Sequence, residues 1–215
     1  MGVMRKLAFT GMALCAVLGN VAHAQTTVGF TVASQQFELT TPDDFCAPVG
    51  EELQVSQTSA KVDEQNFTPV DLQRCGTFGM DYMLVKYPRE GAVVDMSKAD
   101  FLKAMGDFFD TERGRRAADA GFKDSRDNIS RGSGGAVDVD ATGVSYAGKD
   151  SDCVYLGGRI DLIVEGETKR MLLGSCMTVV NNTVITVHSY RIESEASVDA
   201  LKARSRTVAR SLRAL

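Results

Sequence analysis

A histidine set opposite a serine is the one arrangement in this chain that could draw a proton from a nucleophile. His188 stands in an alternating segment, Thr183 to Ile192. A tight turn at Asn181-Asn182 places it opposite Ser175, with Gly158 near and Thr186 and Tyr190 flanking it. A hydrolase needs this pairing, because the imidazole takes the hydroxyl proton as the oxygen attacks. Ser175, however, lies mid-strand, without the exposed strand-to-helix turn that presents a nucleophile. A three-residue turn would flip the last strand and bury Ile185 and Val187 instead. A hydrogen-bonded structural or surface histidine explains the same residues, since buried polar groups normally find partners. No catalytic residue is therefore assigned, and His188 with Ser175 is kept as the candidate pair.

Metal and phosphate chemistry have less support. Asp138-Val139-Asp140-Ala141-Thr142-Gly143 is like the start of a calcium loop, with oxygens from Asp138, Asp140 and Thr142 and a glycine at the turn. The twelfth position should be a bidentate glutamate and is Lys149. An exposed strand with Val137, Val139 and Ala141 inward accounts for the same run. The cysteines and histidine lack the close spacing of a zinc site. Gly132 to Gly135 has neither the lysine nor the following helix of a phosphate loop. Neither a metal nor another cofactor is expected.

The 215-residue chain is 44% hydrophobic and 24% charged, with a formal net charge of -4. That balance suits a globular protein and argues against nucleic acid as the main partner. Residues 1–24 have the pattern of a cleaved signal peptide: Arg5 and Lys6, an uncharged apolar run from Leu7 to Val21, then Ala22-His23-Ala24. The apolar run is short for a membrane span, which needs about 20 residues, and no later stretch could serve. Those 24 residues hold two bases and no acid, so the remainder, 25–215, carries -6, with one histidine and four cysteines. Export to the periplasm, or full secretion, is expected.

An even cysteine count in an oxidising compartment reads as two disulfides. The sequence-local pairing, Cys46 with Cys75 and Cys153 with Cys176, is preferred among three connectivities. The Gly166-Glu167 turn drawn below leaves Cys153 and Cys176 about four positions out of alignment. Cys153 would have to bend back before its strand, a bulge would have to sit at Gly157-Gly158, or the pairing is crossed.

The elements that must position these residues are legible in part. Gly29 to Leu39 reads as a strand or hairpin running into Thr41-Pro42-Asp43-Asp44. Gly50 to Glu64 reads as a short helix. Thr77 to Tyr87 reads as a strand with Phe78, Met80, Tyr82 and Leu84 on one face. Ser97 caps a helix whose stripe is Phe101, Leu102, Met105, Phe108 and Phe109; it continues past Gly114 or breaks there. Asp124 to Gly135 is polar and glycine-rich and reads as a surface loop. Val154 to Glu165 alternates with even positions inward, and a turn at Gly166-Glu167 pairs Leu162 with Met171, Ile160 with Leu173 and Leu156 with Met177. Val198, Leu201, Ser205, Val208, Leu212 and Leu215 form the seam of a closing helix. Its Lys202, Arg204, Arg206, Arg210 and Arg213 suggest either a solvated basic face or a site for anionic membrane.

These elements predict one α+β domain over 25–215, an antiparallel sheet packed against a middle helix and a C-terminal amphipathic helix. Phe37 to Phe45, the strands of 154 to 192 and the closing segment Ser197 to Leu215 together resemble the PsbP/Mog1/DcrB-like fold. The passage from Asp63 to Cys75 is similar to that of small uncharacterised secreted proteins of proteobacteria. The resemblance implies no catalytic residue. The expected role is an exported, non-enzymatic protein binding an envelope protein or a small ligand. The alternatives are a hydrolase centred on His188 and a peripheral membrane binder working through the last helix.

Overall fold

The computed structural model describes residues 26–76, 79–135, 137–164 and 166–215. The signal pattern of residues 1–24 lies outside them. The chain is α+β as predicted, with antiparallel strands packed against helices. Ten strands and four α-helices occur among the described residues, in the order β1 (Thr27–Val32), β2 (Gln35–Thr40), β3 (Phe45–Cys46), α1 (Glu51–Val62), β4 (Asn66–Arg74), β5 (Tyr82–Pro88), α2 (Lys98–Asp110), α3 (Glu112–Gly132), β6 (Val137–Lys149), β7 (Val154–Val164), β8 (Glu167–Val180), β9 (Thr183–Ile192), α4 (Val198–Ser211) and β10 (Arg213–Ala214). Seven strands form one sheet in the order β3-β4-β5-β9-β8-β7-β6, and β1-β2-β10 form a small second sheet.

The large sheet is covered on both faces. On one side α4 and the small sheet enclose Phe37, Leu39, Leu72, Met83, Val85, Ile185, Val187 and Val208, each at most 1% exposed. On the other, Phe101, Leu102 and Phe109 of α2 cover Val154, Val179 and Val184. Ile185 and Val187 are therefore buried with the two-residue turn in place. The choice between two inward faces was unnecessary, because β9 is a central strand with apolar residues on both sides.

Two glycines set how closely α4 lies. Gly157 and Gly174 face each other across β7 and β8. A Cβ on Gly174 would fall 2.5 Å from the backbone nitrogen of Lys202, and one on Gly157 2.5 Å from Val198 Cγ1. Ser205, fully buried, donates to the Gly174 carbonyl at 2.7 Å and meets Ser189 at 2.8 Å. The seam predicted for α4 is buried at Leu201, Ser205, Val208 and Leu212. The helix stops at Ser211, though, because Arg213–Ala214 pairs with β2, and Leu215 is left 70% exposed.

Other boundaries also move. Of the strand expected from Thr77 to Tyr87, Thr77 and Phe78 lie outside the described residues; β5 runs from Tyr82, with Met83 and Val85 on its fully buried side and Tyr82 and Leu84 on the other. Ser97 caps α2 by accepting the Asp100 N–H at 3.1 Å. Thr111 then ends α2 on the Phe108 carbonyl and caps α3 by accepting the Gly114 N–H at 3.0 Å. The loop read at Asp124 to Gly135 is a correction: α3 runs to Gly132, and Ser133 to Gly135 alone turn away. Its half-buried positions Ala118, Phe122, Ser125 and Ile129 do recur at helical spacing, but polar residues dilute the stripe.

The β7–β8 turn is a second correction. Val164 pairs with Glu167, so the chain turns between them, with Gly166 at φ 82°. The register slides by two: Ile160 faces Met171, Leu156 faces Ser175 and Gly158 faces Leu173. A slide of two keeps every side chain on its face. It also halves the misalignment of the cysteines, and Cys153, just ahead of β7, bends in to Cys176. Both disulfides form as preferred, Cys46–Cys75 and Cys153–Cys176, each with Cα atoms 5.1 Å apart. No helix among the described residues is long and apolar enough to cross a membrane.

Candidate functional site

The asparagine turn fixes the centre of the site. Asn181 and Asn182 hold φ of 46° and 61°, the left-handed pair that a tight hairpin turn demands. It sets His188 opposite Ser175, as the sequence predicts. Ser175 Oγ and His188 Nδ1 are 2.7 Å apart. Register then builds rows across the sheet. One row is Asp71, Leu84, His188, Ser175 and Leu156; the next is Gln73, Tyr82, Tyr190, Leu173 and Gly158. Gly158, expected beside His188, thus belongs to the neighbouring row.

These rows lie on the face that α1, α2 and α3 share. Helix α1 leans on β4, where Ser56 hydrogen-bonds Asp71, and its end meets α3 at Val62 and Gly132. Helices α2 and α3 cover β6, β7 and β8. Between them Tyr82, Leu84, His188 and Tyr190 stay half-buried on central strands. The helices leave these four side chains partly exposed over β5 and β9, a candidate recess. Tyr82 and Tyr190 stack with centroids 4.6 Å apart, and the His188 ring lies 6.1 Å from Tyr190.

Burial governs the charge of this floor. Desolvation, helped by the Lys86 ammonium, pushes His188 down to about 3, so the ring is neutral at physiological pH. Burial pushes both tyrosine hydroxyls well above their ordinary range. Burial also raises Asp71, although Ser56 and the Gln73 amide at 2.7 Å oppose it. Asp63 is lowered: burial works against ionisation, but the Lys86 ion pair at 2.7 Å and the Asn66 N–H prevail. The wall of the recess carries a satisfied ion pair, and its floor carries neutral rings.

The dyad is poorly placed for hydrolysis. Ser175 is 1% exposed. A base effective near neutrality needs a pKa near the operating pH, and His188 is far below it. Among the described residues no carboxylate bonds its other nitrogen, so nothing orients the ring as an acid would in a triad. The calcium-like residues are not gathered. Asp138, Asp140 and Thr142 lie exposed along β6, and Asp140 is held low by the Thr142 N–H that it accepts. Extended backbone spaces alternate residues about 7 Å apart, which makes a row and not a cage.

The basic face of α4 is neither free nor merely solvated. Lys202 pairs with Asp199, Arg204 with Asp81, Arg206 with Asp150, Arg210 with Asp152 and Arg213 with Glu38. Lys202 pairs within the helix, Arg204, Arg206 and Arg210 tie it to the loops beneath, and Arg213 makes its pair from β10, just past the helix. The sequence reading overlooked Asp71, Gln73, Ser56 and Lys86. The signal was there in Val70-Asp71-Leu72-Gln73, a short alternating strand hidden by Pro69 and the bulge after Phe67.

The fold and site define a twice-stapled α+β protein with helices on both faces of one antiparallel sheet and a neutral, aromatic recess. Among solved structures it is similar to cyanobacterial PsbP (CyanoP) from Synechocystis sp. PCC 6803, at 14% identity and a TM-score of 0.45, over 92% of this chain and 96% of that one. No family model matches the chain, and no curated protein does.

Proposed function

We propose that residues 25–215 form one exported domain that binds a partner or small ligand of the cell envelope in the recess over β5 and β9, without catalysing a reaction. The observation that carries this reading is the set of ring atoms facing the recess. The hydroxyls of Tyr82 and Tyr190 and Nε2 of His188 have no protein partner among the described residues. Polar atoms spaced over an aromatic floor are what a binding site offers. Export is supported by the pattern of residues 1–24 and by two disulfides, which persist in oxidising compartments.

The test is a thermal-shift screen against the small-molecule fraction of envelope extract, run with the chain and with Tyr190→Phe. A stabilising fraction that acts on the parent and not on the variant is expected. No shift in any fraction, or equal shifts in both proteins, counts against the recess. Cell fractionation reads the location separately. The 2.7 Å contact between Ser175 and His188 favours hydrolysis as a second reading. Activity against acyl or phosphoryl esters that is lost in both Ser175→Ala and His188→Asn would establish it in place of the first.

A further inference from the structure

We propose that the free edge of β8 at Glu167–Arg170 takes one extended peptide segment, which continues the track of β9. The site lies past the end of the Tyr82–Tyr190 recess and goes beyond the binding role just given.

Strand β8 starts at Glu167, but its pairing with β9 stops where Met171 faces Ile192. After Ile192 the chain turns off through Glu193 to Glu195 and leads into α4, which packs on the opposite face of the sheet from Tyr82 and Tyr190. Glu167–Arg170 therefore have a strand partner on the β7 side alone, and all four residues are exposed. A strand turns half of its main-chain N–H and C=O groups to each side. On the β9 side of this stretch no strand meets them, and no other backbone bond reaches them among the described residues.

The far side of the gap is bounded by β5. The β4–β5 ladder carries on past Tyr82, with the Arg74 N–H donating to the Asp81 carbonyl at 3.2 Å, so Met80 stands at the end of β5. Neighbouring strands lie about 4.8 Å apart, so β5 and β8, on either side of β9, leave a gap about 10 Å wide where β9 has ended. One strand fits there, and a hairpin of a second copy, two strands wide, does not. A cavity of about 290 Å³ occupies the gap, lined among the described residues by Met80, Val164, Glu167 and Lys169.

The edge itself selects the ligand class, because an extended polypeptide offers donors and acceptors at the strand repeat. Alternation selects the side chains. A residue opposite Lys169 would point to the same face as Lys169, with Ile192 two places along its own track and Met80 across it. That seat is apolar, and Lys169 and Glu167 neutralise each other at 2.7 Å. The segment that fits alternates apolar with small polar residues.

The experiment is amide and methyl nuclear magnetic resonance of the chain. The probe is a blocked pentapeptide of alternating threonine and isoleucine. Two N-methylated forms, one at the threonines and one at the isoleucines, each remove the donors of one edge of the probe. The parent peptide should shift the amides of Glu167–Arg170 and the Met80 methyl, and slow the exchange of amides in that stretch at least tenfold. At least one N-methylated form should lose binding, and Met80→Asp should weaken the parent peptide at least tenfold. If both N-methylated forms bind like the parent, or millimolar peptide moves none of these signals, the edge site is overturned. If the peptide moves His188 and Tyr190 instead, the recess survives and the edge site falls. If the free chain sediments as a dimer with these amides already protected, a second copy holds the edge and the peptide inference is overturned.

Discussion

Ser175 and His188 stand directly opposite each other on β8 and β9, hydroxyl to Nδ1 at 2.7 Å, with the serine sealed and the imidazole half-buried. The pair spans the most buried strands of the sheet, so it acts on stability. Ser175→Ala leaves Nδ1 facing an apolar methyl and should cost about 1–2 kcal/mol in urea unfolding. The pH dependence has a definite sign. The unfolded ring titrates near 6.5 and the folded ring near 3, so the unfolded chain takes up the proton first. The stability tied to His188 is complete above about 6.5 and is lost as pH falls toward 3, at most about 1.4 kcal/mol per unit. His188→Asn should flatten that interval; an unchanged slope would show that the ring does not titrate as described.

The two disulfides should part company under mild reduction. Cys46 and Cys75 are both exposed, whereas Cys153 and Cys176 are fully buried in the core beneath α4. Thiol exchange requires access to a sulfur. Millimolar thiol without denaturant should open Cys46–Cys75 alone, read by alkylation and mass mapping. Opening Cys46–Cys75, which closes a loop of sequence separation 29, should lower stability by about 3.5 kcal/mol on the loop-entropy estimate.

Gly174→Ala should be among the most damaging small substitutions in the chain. Its methyl would meet the α4 backbone 2.5 Å away, and a backbone cannot swing aside as a side chain can. A loss above about 3 kcal/mol is expected, with α4 partly detached. Gly121→Ala is the control. It lies within α3 with open space where the methyl would go, and should stabilise by about 0.5–1 kcal/mol. Thermal unfolding of the two variants reads the contrast.

Asp150 joins the β6–β7 loop to α4. Burial acts to raise its carboxyl, yet the Tyr155 hydroxyl, the N–H groups of Asp152 and Cys153 and the Arg206 guanidinium bring it to about 2. A carboxyl lowered by folding stabilises above its unfolded value of 3.8, and that contribution is lost as pH falls through about 2. Asp150→Asn should cost about 1–2 kcal/mol at neutral pH, discounted for partial exposure, and should remove this acid-labile share. Denaturant midpoints of the two proteins across pH 2–4 measure it.

Because each α4 cation already meets a carboxylate of the same chain, anionic vesicles should recruit the protein weakly. Sedimentation with phosphatidylserine vesicles at low salt should leave it in the supernatant. Strong binding that Arg206→Gln and Arg210→Gln together abolish would restore the membrane reading of this helix.

Much of the fold was legible wherever one local rule sufficed. The α4 seam, the Ser97 cap and the asparagine turn each follow from spacing or turn chemistry within a few residues. Reading failed where the signal was diluted or depended on a neighbour. Helix α3 is mostly polar and ends in glycines, and its support comes from elsewhere in the fold, where it packs on β6 and meets Val62 at Gly132. The Gly166 turn can be drawn in two frames, and the one that pairs apolar with apolar is not the one formed, which sets Leu156 opposite Ser175 and Leu162 opposite Lys169.

The sequence by itself determined the α+β class and the three-stranded antiparallel core, and offered the pairing of Ser175 with His188 as one of two registers. It did so because strand alternation and hairpin turns are local geometry. Only the tertiary structure decided that both faces of that sheet are buried and that the α4 arginines belong to the protein's own carboxylates. It alone gathered Tyr82, Tyr190, Asp71 and Gln73 around His188. Those residues come from β4, β5 and β9, and their meeting depends on strand order, which no local pattern encodes.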